Sequence, residues 1–124
     1  MSVLVDSDIL IEVTRGHDQN VLSRWEKLSR SDNAILYSPV TSAELWGGAR
    51  RNEFDLLDDL FRAMLCVPID LETGRQAGHY LRQYRRSHGL ALGDALIASA
   101  AALNKAHLWT RNRRHYPMTE LSFY

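Results

Sequence analysis

The stretch "MSVLVDSDIL", residues 1–10, governs the reading of the whole chain. Val3, Leu4 and Val5 form a short apolar run of the kind that makes a buried strand. Asp6 and Asp8 follow at once, before apolar residues resume at Ile9. An unpaired carboxylate at the end of a buried strand is costly, so the position asks for a compensating partner. Working outward, similar runs recur at residues 34–38 ("AILYS"), 66–69 ("CVPI") and 107–110 ("HLWT"), and "LSFY" closes the chain as a last short strand. Helical patterns fill the intervals: roughly 7–14, 19–29, 42–65 with a break near 51–52, 71–87 and 94–104. This alternation predicts an α/β fold with right-handed crossovers and a mainly parallel sheet carrying helices on both faces. Ligand sites in such sheets lie beyond the carboxyl ends of the strands, where Asp6 falls.

The 124 residues suit one domain, 1–124, with 45% hydrophobic and 24% charged residues. Cys66 has no partner for an internal disulfide and reads as a buried, inert thiol in a reducing, cytoplasmic setting. No signal-peptide pattern stands at the amino terminus, and Asp94 interrupts the longest weakly charged run, so no membrane span is expected. Net charge is zero, yet between Arg75 and His115 eight Lys or Arg residues face a single acid, Asp94. Arg75 and Lys105 read as solvated helix surface. Arg82, Arg85 and Arg86 in "RQYRR", and Arg111 and Arg113 in "RNRR", read either as solvated faces or as contacts to nucleic-acid phosphates.

Each acid has a structural reading beside a chemical one. Asp6 suits a helix cap, and Asp8 suits the first helical turn. Thr41 and Glu44 match the capping-box spacing in "PVTSAELWGG". Asp94, after the flexible Gly93, opens a helix whose Ile97, Ala98 and Ala101 share its face. As a set, Asp6, Glu44 and Asp94 stand at strand ends or helix starts, which a parallel sheet gathers at one edge. Carboxylates converging there repel one another unless a cation lies between them. Oxygen ligands suit magnesium or manganese, which can activate water and stabilise charge on a phosphodiester.

Four segments, "VLVDSDIL", "SPVTSAELWGGAR", "GLALGDALIASAA" and "LWTRNRRHYPM", resemble in order and spacing the signatures of PIN-domain ribonucleases, above all the VapC toxins of toxin–antitoxin pairs. The resemblance implies a three-layer α/β/α sandwich and an acidic pocket for Mg2+ or Mn2+. It puts Asp6, Glu44 and Asp94 on the family's acidic, catalytic positions, with Asp6 and Asp94 as the foremost metal ligands and Glu44 completing the metal site or orienting a bound water, and Thr110 and Asn112 beside the pocket. It further implies cleavage of RNA, often transfer or ribosomal RNA, to 5′-phosphate and 3′-hydroxyl ends, a homodimer, and a small VapB-like antitoxin covering the site. Two positions depart from the pattern. His115 and Tyr116 replace the acid and phenylalanine of T-x-N-x-x-D-F, leaving His115 to bind phosphate, act near the leaving group, or pack. Asp8 replaces the usual asparagine of the first motif and restores some negative charge.

Two rivals stand beside this reading. The D-x-D of "VLVDSDIL" is also similar to the first motif of haloacid dehalogenase-like phosphatases, although Ala98 stands where their later motif expects an acid. A PIN-like module that only binds its partner is the other, kept open by His115. The five histidines show no zinc-site spacing. Trp25, Trp46 and Trp109 read as core or dimer-interface residues.

Overall fold

The computed structural model describes residues 1–124. Five strands, β1 (Ser2–Val5), β2 (Ala34–Tyr37), β3 (Leu65–Cys66), β4 (His107–Trp109) and β5 (Ser122–Phe123), form one sheet in the order β3-β2-β1-β4-β5. Every adjacent pair is parallel. The opening stretch therefore supplies the central strand, flanked by β2 and β4, with Leu4 in register with Leu36 on one side and Leu108 on the other.

Alternation along β1 divides the core. Leu4, Leu36 and Leu108 point to one face, where they meet α5 (Leu71–His88) and α6 (Leu92–Leu103). Val3, Val5, Ile35 and Trp109 point to the other, toward α1 (Ser7–Arg15), α2 (Gln19–Ser29), α3 (Pro39–Gly48) and α4 (Phe54–Arg62). Val3, Leu4 and Val5 are completely inaccessible to solvent. This is the three-layer α/β/α arrangement expected from the alternating pattern.

The helix ends are set by local chemistry. Asp18 and Asp70 cap α2 and α5 by accepting backbone N–H groups of their first turns. Gly16 and Gly89 end α1 and α5 in the left-handed conformation, with φ of 72° and 61°, that a side chain would strain. The alanines of α6 let it approach the sheet and α5 closely. The buried Ser99 hydroxyl between them donates to the Thr73 carbonyl at 2.8 Å.

Four expectations need correction. The third helix starts at Pro39 rather than residue 42, because proline is pre-organised for a first helical turn. Thr41 and Glu44 consequently lie inside α3, and their capping box does not form; Ser38 precedes the helix without a side-chain cap bond. Cys66 is exposed, because β3 is a two-residue edge strand with neither residue covered, and Val67 is the inward-facing neighbour. The sixth helix opens at Leu92, two residues before Asp94. Of the tryptophans, Trp109 is buried and stacks on Trp25, while Trp46 packs on Phe54 and Phe61. No helix is long and apolar enough to cross a membrane.

Candidate active site

The carboxyl end of β1 delivers Asp6 to the start of α1, where it is both the helix cap and a buried acid. Its backbone N–H continues the sheet by donating to the Trp109 carbonyl at 2.9 Å, so the strand fixes where the side chain begins. Oδ1 accepts the Ser7 N–H at 2.7 Å. Oδ2 accepts two hydroxyls, Thr110 Oγ1 and the Tyr116 phenol, each at 2.9 Å. These donors offset the cost of burying the charge.

Asp94, in the first turn of α6, faces the same phenol: its Oδ1 is 3.4 Å from the Tyr116 hydroxyl. Burial, and next the charge of Asp6, raise its pKa above the ordinary aspartate value, while His115 and Tyr116 oppose the rise. Burial and the surrounding carboxylates push the Tyr116 phenol far upward, so it keeps its one proton. That proton serves Asp6, the nearer acceptor, and Asp94 is left poor in donors. His115 Nδ1 stands 3.7 Å from Asp94 Oδ2 with its side chain half exposed.

Asp8 organises the loop after β4. Its Oδ2 accepts the Arg111 N–H at 2.9 Å and the Asn112 side-chain amide at 3.3 Å, and Thr110 Oγ1 lies 3.5 Å away. Burial first, then Asp6, raise its pKa against the bonds from the Arg111 and Ile9 backbone. Thr110 and Asn112 thus sit beside the acids, with the Asn112 N–H donating to Thr110 Oγ1 at 3.1 Å.

Glu44 stands apart. It is exposed on α3 and accepts the Ser7 hydroxyl at 2.8 Å, while the same Ser7 oxygen contacts Thr41 at 3.3 Å. No three side chains among His, Cys, Asp and Glu are drawn together closely enough to hold a metal ion at once. The structure therefore joins Asp6 and Asp94 through one hydroxyl and leaves Glu44 one serine away. Two carboxylates, one of them short of donors, still fit a magnesium-like ion, which keeps most of its waters and needs only one or two protein oxygens.

The arginines divide as well. Arg111 lies 3.8 Å from Glu12 and 3.6 Å from Asp18, and Arg113 stacks over Phe123 and donates to the Tyr124 carbonyl. Both are engaged within the protein. Arg82, Arg85 and Arg86 are exposed near the end of α5 and take part in none of the ion pairs.

The PIN domain profile matches residues 3–121, which is nearly the whole chain. The chain belongs to the PIN-domain family. This sets aside the phosphatase alternative. The PIN-domain sequence is 40% identical over 120 residues to Ribonuclease VapC10 of Mycobacterium tuberculosis, covering 95% of this chain and 88% of that protein. Its fold is that of VapBC2 from Rickettsia felis, solved with a promoter DNA fragment, at TM-score 0.81 and 23% identity over 100% of this chain and 98% of the other. A toxin-antitoxin complex from Klebsiella pneumoniae superposes at TM-score 0.71 with 22% identity, covering 98% and 99% of the two chains.

Two participants escaped the sequence reading. The Tyr116 hydroxyl shows in the sequence only as a departure from phenylalanine, and Ser7 only as the residue between two aspartates. Their roles depend on partners 110 and 37 residues away along the chain.

Proposed function

We propose that this PIN-domain protein is a VapC-type endoribonuclease, the toxin of a toxin–antitoxin pair, which hydrolyses phosphodiesters of transfer or ribosomal RNA with Mg2+ or Mn2+. The observation that carries the reading is the pairing of Asp6 and Asp94 about one hydroxyl beyond the carboxyl end of the central strand. The likeness to a named ribonuclease supports the choice of RNA.

Asp6 and Asp94 are the residues that hold the cation. When bound, the cation supplies positive charge to stabilise the phosphate as its bond breaks, and it makes water a better nucleophile. Asp6 is held by the Ser7 N–H on one oxygen and the Thr110 hydroxyl on the other, which fix its orientation before the reaction. Glu44, steadied by Ser7 and open to solvent, orients the attacking water and receives its proton. Asp8 keeps Thr110 and Asn112 at the rim, and His115 faces the incoming phosphate. Arg82, Arg85 and Arg86 hold the RNA backbone.

The antitoxin belongs to the same proposal. A groove of about 470 Å³ is lined by Ile11 and Arg15 of α1, by Glu44 and Leu45 of α3, and by Arg50. A segment seated there covers Glu44 and blocks the substrate. Two chains form the toxin's homodimer, which light scattering checks.

One observation favours a second reading, a PIN module that binds without cutting: the acid of the fourth motif is His115. Sequencing of 5′ ends after treating cellular RNA with the purified chain decides between them. New 5′-phosphate ends at defined sites in transfer or ribosomal RNA are the expected result. An unchanged end profile from folded, cation-loaded chain supports the binding module.

A further inference from the structure

The Tyr116 phenol occupies an unusual place. Its oxygen lies 2.9 Å from Asp6 Oδ2 and 3.4 Å from Asp94 Oδ1, between the two carboxylates assigned to the cation. A group that bridges two acids through one proton does, weakly, what a cation does strongly: it puts positive charge between like charges. We propose that the Tyr116 hydroxyl is a placeholder for the divalent cation, holding Asp6 and Asp94 together in the cation-free protein and competing with the ion for the same space. This inference rests on the metal-dependent reading above and adds to it a residue that sets the site's affinity.

The lone pairs support competition rather than assistance. A carboxylate oxygen offers two in-plane acceptor positions. Those of Asp6 Oδ2 are filled by Thr110 and Tyr116, and the Tyr116 position is the one directed toward Asp94. An ion touching both carboxylates by the shortest route needs that position, and the phenol has to withdraw. Tyr116 is 3% exposed, so the phenol withdraws not into open space but by a shift of the single turn Arg113–His115 that it ends, whose three side chains are all exposed. A phenylalanine ring fills the same buried space without contesting it.

The hydroxyl's bond to a charged acceptor, lost when the ion enters, translates to about tenfold in affinity. The test is calorimetric titration of Mn2+ into the chelator-treated full chain, compared with Tyr116→Phe, Thr110→Val and Asp94→Asn, together with thermal unfolding of each with and without Mn2+. Tyr116→Phe is expected to bind Mn2+ about tenfold more tightly, to unfold at a lower temperature when cation-free, and to lose most of that deficit in saturating Mn2+. Thr110→Val removes an Asp6 donor that does not lie toward Asp94, and is expected not to tighten binding. Unchanged or weaker binding by Tyr116→Phe, or equal tightening by Thr110→Val, overturns the placeholder while leaving the metal site intact, provided Asp94→Asn abolishes binding. If wild type and Tyr116→Phe both bind no Mn2+, the metal-dependent reading fails and the placeholder fails with it.

Discussion

Asp94 accepts one long hydrogen bond, from the Tyr116 hydroxyl at 3.4 Å, and its surroundings predict a trade between stability and function. Its folded-state pKa is raised, by burial first and then by Asp6. Between the ordinary aspartate value and the raised one, the folded chain holds a proton that the unfolded chain has released. The carboxylate therefore contributes less stability as pH rises through that window, and above the raised value its ionisation counts fully against the cation-free fold. Asp94→Asn keeps the shape and removes the charge. Denaturant unfolding in chelator is expected to show the Asn variant more stable than wild type at pH 7, with the difference shrinking as pH falls through the raised value to the ordinary aspartate pKa. A variant no more stable at pH 7 contradicts this account of the residue. Asp6 presents the opposite case, a buried acid whose charge is met by Ser7, Thr110 and Tyr116. Its position at a strand end was legible because an Asp there is a local anomaly; the phenol that completes its shell comes from the far end of the chain, and no local pattern marks it.

Among the elements, α1 and α3 are joined at the site by the bond from Ser7 to Glu44. Ser7→Ala is expected to cost about 1 kcal/mol in unfolding free energy and about tenfold in the rate of cleavage at saturating RNA, because Glu44 loses the group that steadies it. Single-turnover kinetics beside denaturant unfolding check both, and full activity in Ser7→Ala contradicts the role given to Glu44. The strands that form the middle of the sheet were readable because runs such as Val3–Val5 are buried on both faces and admit no polar residue. The start of α3 was not, because Thr41 and Glu44 carry a capping signal that competes with Pro39, and only the fold shows that Glu44 is turned to Ser7 instead. The edge strand β3 starts one residue earlier and ends three residues earlier than the expected 66–69, since Leu65 and Cys66 lie inside a longer apolar run, 63–67, that does not mark which residues pair.

For the whole molecule, zero net charge conceals an uneven surface. Arg82, Arg85 and Arg86 stand unpaired near the end of α5, while Arg111 and Arg113 are committed to partners within the protein. Replacing the three α5 arginines with alanine is expected to flatten the salt dependence of RNA affinity by about two in the log–log slope, at roughly 0.7 per phosphate contact on a single strand. An unaltered slope, measured by binding across salt concentrations, assigns these arginines to solvent. The overall α/β/α arrangement followed from the order of apolar runs, whereas the division of labour among the arginines depends on which acids the fold sets beside them. The proposed function requires Asp6 and Asp94 to act together with a divalent cation to cut RNA. The most direct measurement is cleavage of cellular RNA by the purified, partner-free chain in Mg2+ or Mn2+ and in chelator, beside Asp6→Ala and Asp94→Ala. Cation-dependent cuts that both variants lose by at least about a hundredfold are the expected result; cleavage that persists in chelator, or in either variant, rules out this pairing of acids and cation.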